Sequence, residues 1–285
     1  GIEDLAKAGV SAEDILGGGL KGSLDLAAAG GLDVASAAEI AATALTQFNL
    51  QGSDVPHVAD LLAAAAGKAQ GDVTDLGMAL KQSGLVASQM GISIEDTTGT
   101  LAAFASAGLL GSDAGTSFKT MLQSLNPKSD EAAAKMEDLG LKFYDAQGKF
   151  VGLESVAGQL QAALGGLSEE QRNAALTTIF GADAVRAAGV LYNEGASGIA
   201  KWTNAVNDQG YAAETAATRM DNLKGDLEQL KGSLETAFIG SGSGSTGMLR
   251  KLAQGATDLV NAFNKAPAPV QQTATALLGL VAVGA

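Results

Sequence analysis

Cysteine is missing from this chain, and histidine occurs once, at position 57. Without cysteine the chain can form no disulfide, no thiolate zinc site and no cysteine nucleophile. A single histidine, His57, excludes any site that needs two imidazoles. Basic residues are also scarce, with 18 Lys and Arg against 31 Asp and Glu. This balance argues against a DNA clamp, because phosphate binding depends on Lys and Arg that displace counterions.

Aromatic residues make up only 4% of the chain, whereas hydrophobic residues reach 46%. Glycine contributes 38 residues, and alanine is abundant throughout the sequence. The composition therefore supplies enough apolar surface for a packed structure and is unlike that of an acidic disordered tail. The core must be built from small side chains, which favours closely approaching helices.

Apolar residues recur at helical spacing along almost the whole chain, interrupted by Gly, Asn and Ser-Asp punctuation. Helix starts are marked by Ser93-Ile-Glu-Asp96 and by the capping box Ser168-Glu-Glu-Gln171. The pattern predicts an all-α fold, an elongated multi-helix assembly. The predicted helices lie near 3–9, 12–29, 34–47, 54–67, 71–90, 94–107, 112–125, 129–139, 153–164, 168–180, 182–193, 196–208, 211–238 and 247–264.

One segment departs from the helical pattern. Residues 141–151 place β-favouring residues on both sides of Asp145-Ala-Gln-Gly148, which has the composition of a reverse turn. The sequence predicts one short β-hairpin here. Because two strands alone are marginal in water, we expect the hairpin to lean on a helix or on a neighbouring chain.

The stretch 211–238 carries the clearest periodicity in the chain. Six apolar residues follow one another at alternating intervals of three and four, the spacing of a coiled-coil seam. This predicted self-association seam consists of Met220, Leu223, Leu227, Leu230, Leu234 and Ala237. The same spacing also fits an amphipathic helix that packs inside its own domain.

Composition divides the chain into three parts: a helical core region over 1–239, a Gly/Ser linker over 240–247, and a following helical or hydrophobic region over 248–285. The last part becomes wholly apolar from Ala276, in a run too short to cross a bilayer by itself. We expect the chain to be a piece of a longer polypeptide in which this run continues. The run then either enters a membrane or forms a buried helix of a second soluble domain.

The sequence offers little that suggests catalysis. His57 follows Pro56 at a predicted helix start, where a surface histidine of the first turn is expected. The glycine-rich segments 17–23 and 108–116 lack the order of a phosphate-binding loop and follow no strand, so they are interpreted as turns between helices. We therefore expect no enzyme activity, no catalytic residue, no cofactor and no metal.

Six segments form an ordered set along the chain, which includes the predicted hairpin: Asp60–Ala69, Met78–Ala87, Gly91–Asp96, Gly108–Thr116, Leu139–Gly148 and Ile179–Ala184. Taken in order, these segments resemble the core region of phage tail tape measure proteins, the long minor tail proteins of siphophages. The resemblance covers roughly residues 1–240 and depends on the ordered set.

The resemblance implies a structural virion protein that lies in the lumen of the tail tube, sets tail length during assembly and is released at infection to assist genome delivery across the host envelope. It implies as partners other copies of the chain, with a trimer favoured, and tail tube, tail tip and tail assembly chaperone proteins. The host membrane is a further partner through the apolar end, and no specific nucleic-acid binding is expected. Implied locations are the virion tail, the host cytoplasm during assembly and the host envelope after ejection. The alternative is a membrane-active helical module of the translocation or toxin type.

Overall fold

A computed structural model describes residues 2–7 and 9–224 of the chain. These residues form an all-α, elongated bundle of helices, which confirms the predicted fold class. A π-helical turn, Ile15–Gly19, joins the second helix to the third. The helices in chain order are α1 (Ile2–Lys7), α2 (Ala12–Asp14), α3 (Leu20–Gly30), α4 (Val34–Phe48), α5 (Val55–Lys68), α6 (Val73–Gln89), α7 (Ile94–Ser106), α8 (Gly111–Ser124), α9 (Asp130–Asp138), α10 (Leu153–Leu164), α11 (Glu169–Phe180), α12 (Val185–Val206) and α13 (211–224).

Side-chain caps fix where several helices begin. At the start of α7, the Asp96 amide donates to Ser93 Oγ at 3.0 Å. At the start of α11, the Ser168 amide donates to Gln171 Oε1 at 3.1 Å, and the Gln171 amide donates to Ser168 Oγ at 3.3 Å. These bonds satisfy N–H groups that a helix leaves without an internal acceptor. The capping residues are close in sequence, so these boundaries are visible in the sequence itself.

Helix α5 lies at the centre of the bundle and packs against α3, α4, α6, α7 and α12. Around it, α6 packs along α8, while α12 packs along both α7 and α10. The core consists mainly of alanine and leucine side chains. Two phenylalanines, Phe104 of α7 and Phe118 of α8, meet edge to face with 5.3 Å between their ring centroids.

Two crossings show how closely the small side chains let helices approach. A Cβ placed on Gly99 of α7 would lie 2.6 Å from the Cα of Thr203 on α12. A Cβ placed on Gly115 of α8 would lie 2.8 Å from the Cα of Ala79 on α6. In both cases the neighbour is backbone, which cannot rotate away. Glycine is therefore required at each crossing by the distance between the two helices.

The predicted β-hairpin is wrong. In the part of the chain that the structure describes, residues 141–151 form a reverse turn with a single isolated antiparallel bridge, between Tyr144 and Phe150. Two residues before the bridge, the backbone is bonded to a helix instead of to the opposite arm: the Lys142 N–H donates to Gln159 Oε1 of α10 at 2.7 Å, and the Lys142 carbonyl accepts from Gln159 Nε2 at 2.8 Å. These bonds compete with the pairing that would lengthen a strand.

Parts of the sequence prediction lie outside the described residues. They are the portion of the predicted helix 211–238 beyond 224, the Gly/Ser linker 240–247 and the region 248–285 with its apolar end. Within 2–7 and 9–224, no helix is both long enough and apolar enough to cross a membrane.

The crossing of α6 and α8 gives a test of the packing. We expect Gly115→Ala to lower the free energy of unfolding by about 1–3 kcal/mol, because the added methyl group overlaps the backbone of Ala79. Gly189→Ala on α12 is the matched control, since a Cβ there has no neighbour within 4 Å. The control should be neutral or stabilise by up to about 1 kcal/mol, as alanine favours a helix interior over glycine. Equal urea midpoints for the two variants would contradict the packing argument.

Candidate functional site

The predicted self-association seam begins on α13, so the site of interest is where α13 meets the core. Met220 and Leu223 lie on α13 and are half-buried. The other four seam residues, Leu227, Leu230, Leu234 and Ala237, lie outside the described residues. The described part of the seam is therefore not an exposed stripe on a free helix.

A carboxylate from the centre of the bundle caps the start of α13. Asp60 of α5 is only 8% exposed. Its Oδ2 accepts the Gly210 N–H at 2.7 Å, and its Oδ1 accepts the Ala212 N–H at 3.0 Å. A negative charge at a helix N-terminus satisfies free N–H groups and complements the helix dipole. Asp60 thus takes the role of an N-cap, although it lies on a different helix.

Lys68, at the C-terminal end of α5, binds the turn between α12 and α13. Its Nζ donates to the Ala205 carbonyl at 2.7 Å and to Asp208 Oδ2 at 2.5 Å. The same ammonium lies 5.0 Å from the centre of the Tyr211 ring, within the range of a cation–π contact. One side chain therefore holds the end of α12, the turn and the first residue of α13.

Two further contacts seat α13 on the bundle. The Tyr211 hydroxyl lies where a Cβ on Gly67 of α5 would be, so this seat exists only because residue 67 has no side chain. Farther along α13, Arg219 Nη1 would lie 3.1 Å from a Cβ on Gly31, at the end of α3. Contacts at both ends of 211–219 place this part of α13 against the core. We call the contacts of Asp60, Gly67 and Lys68 with residues 205–212 the α13 latch.

The only histidine stands one turn before Asp60 on α5 and links that helix to α7. His57 Nε2 donates to Glu95 Oε1 at 2.8 Å, and both side chains are partly exposed. The hydrogen bond from His57 lowers the pKa of Glu95 to about 2, against the opposing effect of burial. The same bond raises the pKa of His57 above its ordinary 6.5, with Asp60 and Asp54 adding in the same direction and burial opposing. His57 lies in the first turn of α5 and holds two helices together.

The other candidate sites of the sequence are structural. The segment 17–23 runs from the π-helical turn into α3, and the segment 108–116 connects α7 to α8, so both lie at turns between helices. Among residues 2–7 and 9–224, no cluster of three or more His, Asp or Glu side chains could hold a metal ion.

The sequence did not reveal the latch itself. Asp60 and Lys68 meet residues that follow them by between 137 and 152 positions. One signal was available: these two residues are the only charged ones between positions 60 and 68, at either end of an apolar run. A lone carboxylate beside such a run is expected to be buried and to have a partner.

Residues 1–181 match the family of phage-related minor tail proteins. The chain belongs to this family. The "Tape measure protein" of Pneumococcus phage Dp-1 is 35% identical over 99% of this chain and 24% of its own length. The "Probable tape measure protein" of Escherichia phage P2 is 31% identical over 75% of this chain and 27% of its own length. The resemblance to tape measure proteins is confirmed, and the chain spans about a quarter of the length of these relatives. No solved structure matches the chain.

The link between His57 and Glu95 predicts a pH dependence of stability. A raised His57 pKa stabilises fully below pH 6.5, and this contribution is lost as the pH rises through the folded-state pKa. A lowered Glu95 pKa stabilises above pH 4.5, and this contribution is lost as the pH falls towards about 2. The pair therefore stabilises most between these limits, and His57→Gln should lower Tm more at about pH 5.5 than at about pH 9.

The control for this prediction is Lys81→Ala, which removes an exposed ion pair with Glu39 and no histidine. Its effect on Tm should be small and the same at both pH values. A His57→Gln effect of equal size at both pH values would contradict the assignment of the two pKa shifts.

Proposed function

We propose that the chain is a segment of a tape measure protein and that it is a structural component of the phage tail. In this proposal it lies in the lumen of the tail tube, contributes to setting tail length during assembly, and is released at infection to assist genome delivery. The family match and the names of the two relatives support the tail role. The proposal assigns the chain no enzyme activity, no cofactor and no metal.

In the proposed mechanism, the bundle determines where the self-associating helix begins. The bundle is a folded body, and α13 begins at one fixed place on it, because Asp60 and Lys68 hold residues 205–212. The seam then runs from Met220 to Ala237, where copies of the chain associate, a trimer being favoured. The observation that supports this most directly is the latch, since it joins the folded bundle to the helix on which the seam begins.

The surface charge fits a protein that shares a conduit with DNA. The chain carries a net charge of −13, so it repels phosphates and does not bind the genome that follows it. The proposed partners are other copies of the chain and the tail tube, tail tip and tail assembly chaperone proteins.

The division into core (1–239), linker (240–247) and following region (248–285) is part of this proposal and rests on composition alone. The contact of the apolar end with the host membrane is also part of this proposal and also rests on composition alone. The membrane-active alternative is favoured by one observation, the run without charge from Ala276. In this alternative the chain acts on the host envelope without any role in tail length.

The seam gives a test in solution. Leu227→Asp with Leu230→Asp would bury unpaired charge between associated copies, so we expect this double variant to be monomeric in sedimentation while its helical circular dichroism is retained. Thr218→Asp with Asn222→Asp is the matched control, because it adds the same charge to exposed positions of α13. A wild-type chain that stays monomeric at high concentration would contradict the proposed association.

The role in tail length gives a test in the phage. An insertion of about 28 residues that continues the seam after Leu230 should lengthen the tail by about 42 Å, at the helical rise of 1.5 Å per residue. An insertion of the same length in the turn between Asp145 and Gly148 is the control. The bridge between Tyr144 and Phe150 fixes the two ends of that turn, so the control should add no length. Electron microscopy of negatively stained virions measures the tail length of both insertion variants. Equal tail lengths in the seam variant and the turn variant would refute the proposal.

A further inference from the structure

The seam and the core use the same side of α13. Continued towards the N-terminus from Met220, the intervals of four and three reach Ala216 and Ala213. Ala216 is 1% exposed, while Ala213, Met220 and Leu223 are partly buried. The residues on the other side of the helix are exposed, namely Ala217, Thr218, Asp221 and Asn222. Ala216, on the side of α13 to which the seam pattern extends, is thus buried, and α13 meets the core at Tyr211, Ala212 and Arg219.

The latch fixes α13 in this orientation. Asp60 binds the amides at 210 and 212, and Arg219 lies against Gly31 at the end of α3. Two packed helices lie with their axes about 8–10 Å apart, so one side of a helix can accept only one partner at a time. A second copy cannot pack against Ala216 while the bundle buries that residue.

We propose that the core masks the first part of the self-association seam, and that a second copy of the chain competes with the core for the side of α13 formed by Ala213, Ala216, Met220 and Leu223. Association over this part requires α13 to leave the latch. This inference rests on the self-association proposed above and adds its regulation.

The chemistry of the contact suits a reversible mask. The fully buried apolar side chains of α13 are two alanines, Ala212 and Ala216, which bury little area. The contact therefore depends mainly on the partly buried Tyr211 ring and on a few polar groups, above all the Asp60 carboxylate and the Lys68 ammonium. The Lys68 side chain is 30% exposed and that of Asp208 is 48% exposed, so water can reach their ion pair. Only the four residues of the turn 207–210 join α12 to α13.

Competition also predicts how the two states respond to concentration. The latch is intramolecular, so its strength does not depend on protein concentration, whereas association of copies does. A masked seam keeps dilute chains apart and lets them associate where many copies are brought together. The equilibrium between the two states is set by the difference in free energy between the contact of α13 with the core and its contact with a second copy.

The test uses the full 285-residue chain with Asp60→Ala and Lys68→Ala. Amide exchange at Gly210 and Ala212 reports release of α13, and sedimentation equilibrium reports association. We expect the exchange of both amides to accelerate and the association constant to rise by about tenfold or more. Asp113→Ala with Arg186→Ala is the matched control, because it removes an ion pair between α8 and α12, away from the latch. The control should change neither quantity.

A second set of variants separates this inference from the proposed function. Leu227→Asp and Leu230→Asp are added both to the wild type and to the latch variant. Suppose that these changes abolish association in both backgrounds, but that the wild type and the latch variant, without these changes, associate equally strongly. Masking is then overturned, whereas self-association stands. If exchange accelerates but neither protein associates, self-association fails and masking with it.

A third protein guards against a latch variant that fails to fold. Gly67→Cys with Tyr211→Cys places the only two thiols of the chain at the seat of α13, because the sequence has no cysteine. Joining them with a short bismaleimide holds α13 on the core. We expect association to fall by about tenfold or more relative to the same protein with both thiols singly capped. Equal association of the joined and capped proteins would overturn the inference.

Discussion

The close approach of helices through small side chains is the constraint on which the rest of this structure depends. At Gly99, α7 comes so close to Thr203 of α12 that a methyl group would not fit. Thr203 lies two residues before Ala205, whose carbonyl accepts a hydrogen bond from Lys68. Gly99 of α7 therefore lets α12 lie close to the bundle, and Lys68 of α5 binds the end of α12 in that position. A wider crossing would carry the end of α12, and with it the start of α13, away from α5.

The sequence indicates the helices well because the information for them is local. Caps such as Ser168 and Gln171 lie three residues apart, and both partners fall within one turn of helix. Even the predicted break between 193 and 196 has a counterpart, since α12 is kinked at Gly195, where φ is 63°. The prediction of a hairpin over 141–151 was wrong for the opposite reason. The turn itself is local, but the backbone of Lys142 forms hydrogen bonds with the side chain of Gln159, which lies on the next helix.

The latch was beyond sequence reasoning for the same physical reason. Periodicity predicts the seam helix but cannot say what binds its first turn, because Asp60 lies about 150 residues earlier in the chain. The two interpretations of the 211–238 pattern, a seam between chains or a helix packed in its own domain, also turn out to be compatible in part. Residues 211–219 lie against the core, while Leu227 and the residues after it follow the seam spacing in sequence.

A folded bundle places a limit on how a tape measure protein could relate residues to length. As one continuous helix, the described residues would span on the order of 300 Å at 1.5 Å per residue. In the bundle they turn back at every loop, and α5 alone packs against α3, α4, α6, α7 and α12 in addition to its contacts with α13. Residues in this part therefore add far less length each than residues in an extended seam. If the protein acts as a ruler, as proposed above, the described bundle contributes little of the measured length. In the proposal, the contacts of Asp60 and Lys68 then matter more than the size of the bundle, because they place the start of the helix on which the predicted seam begins.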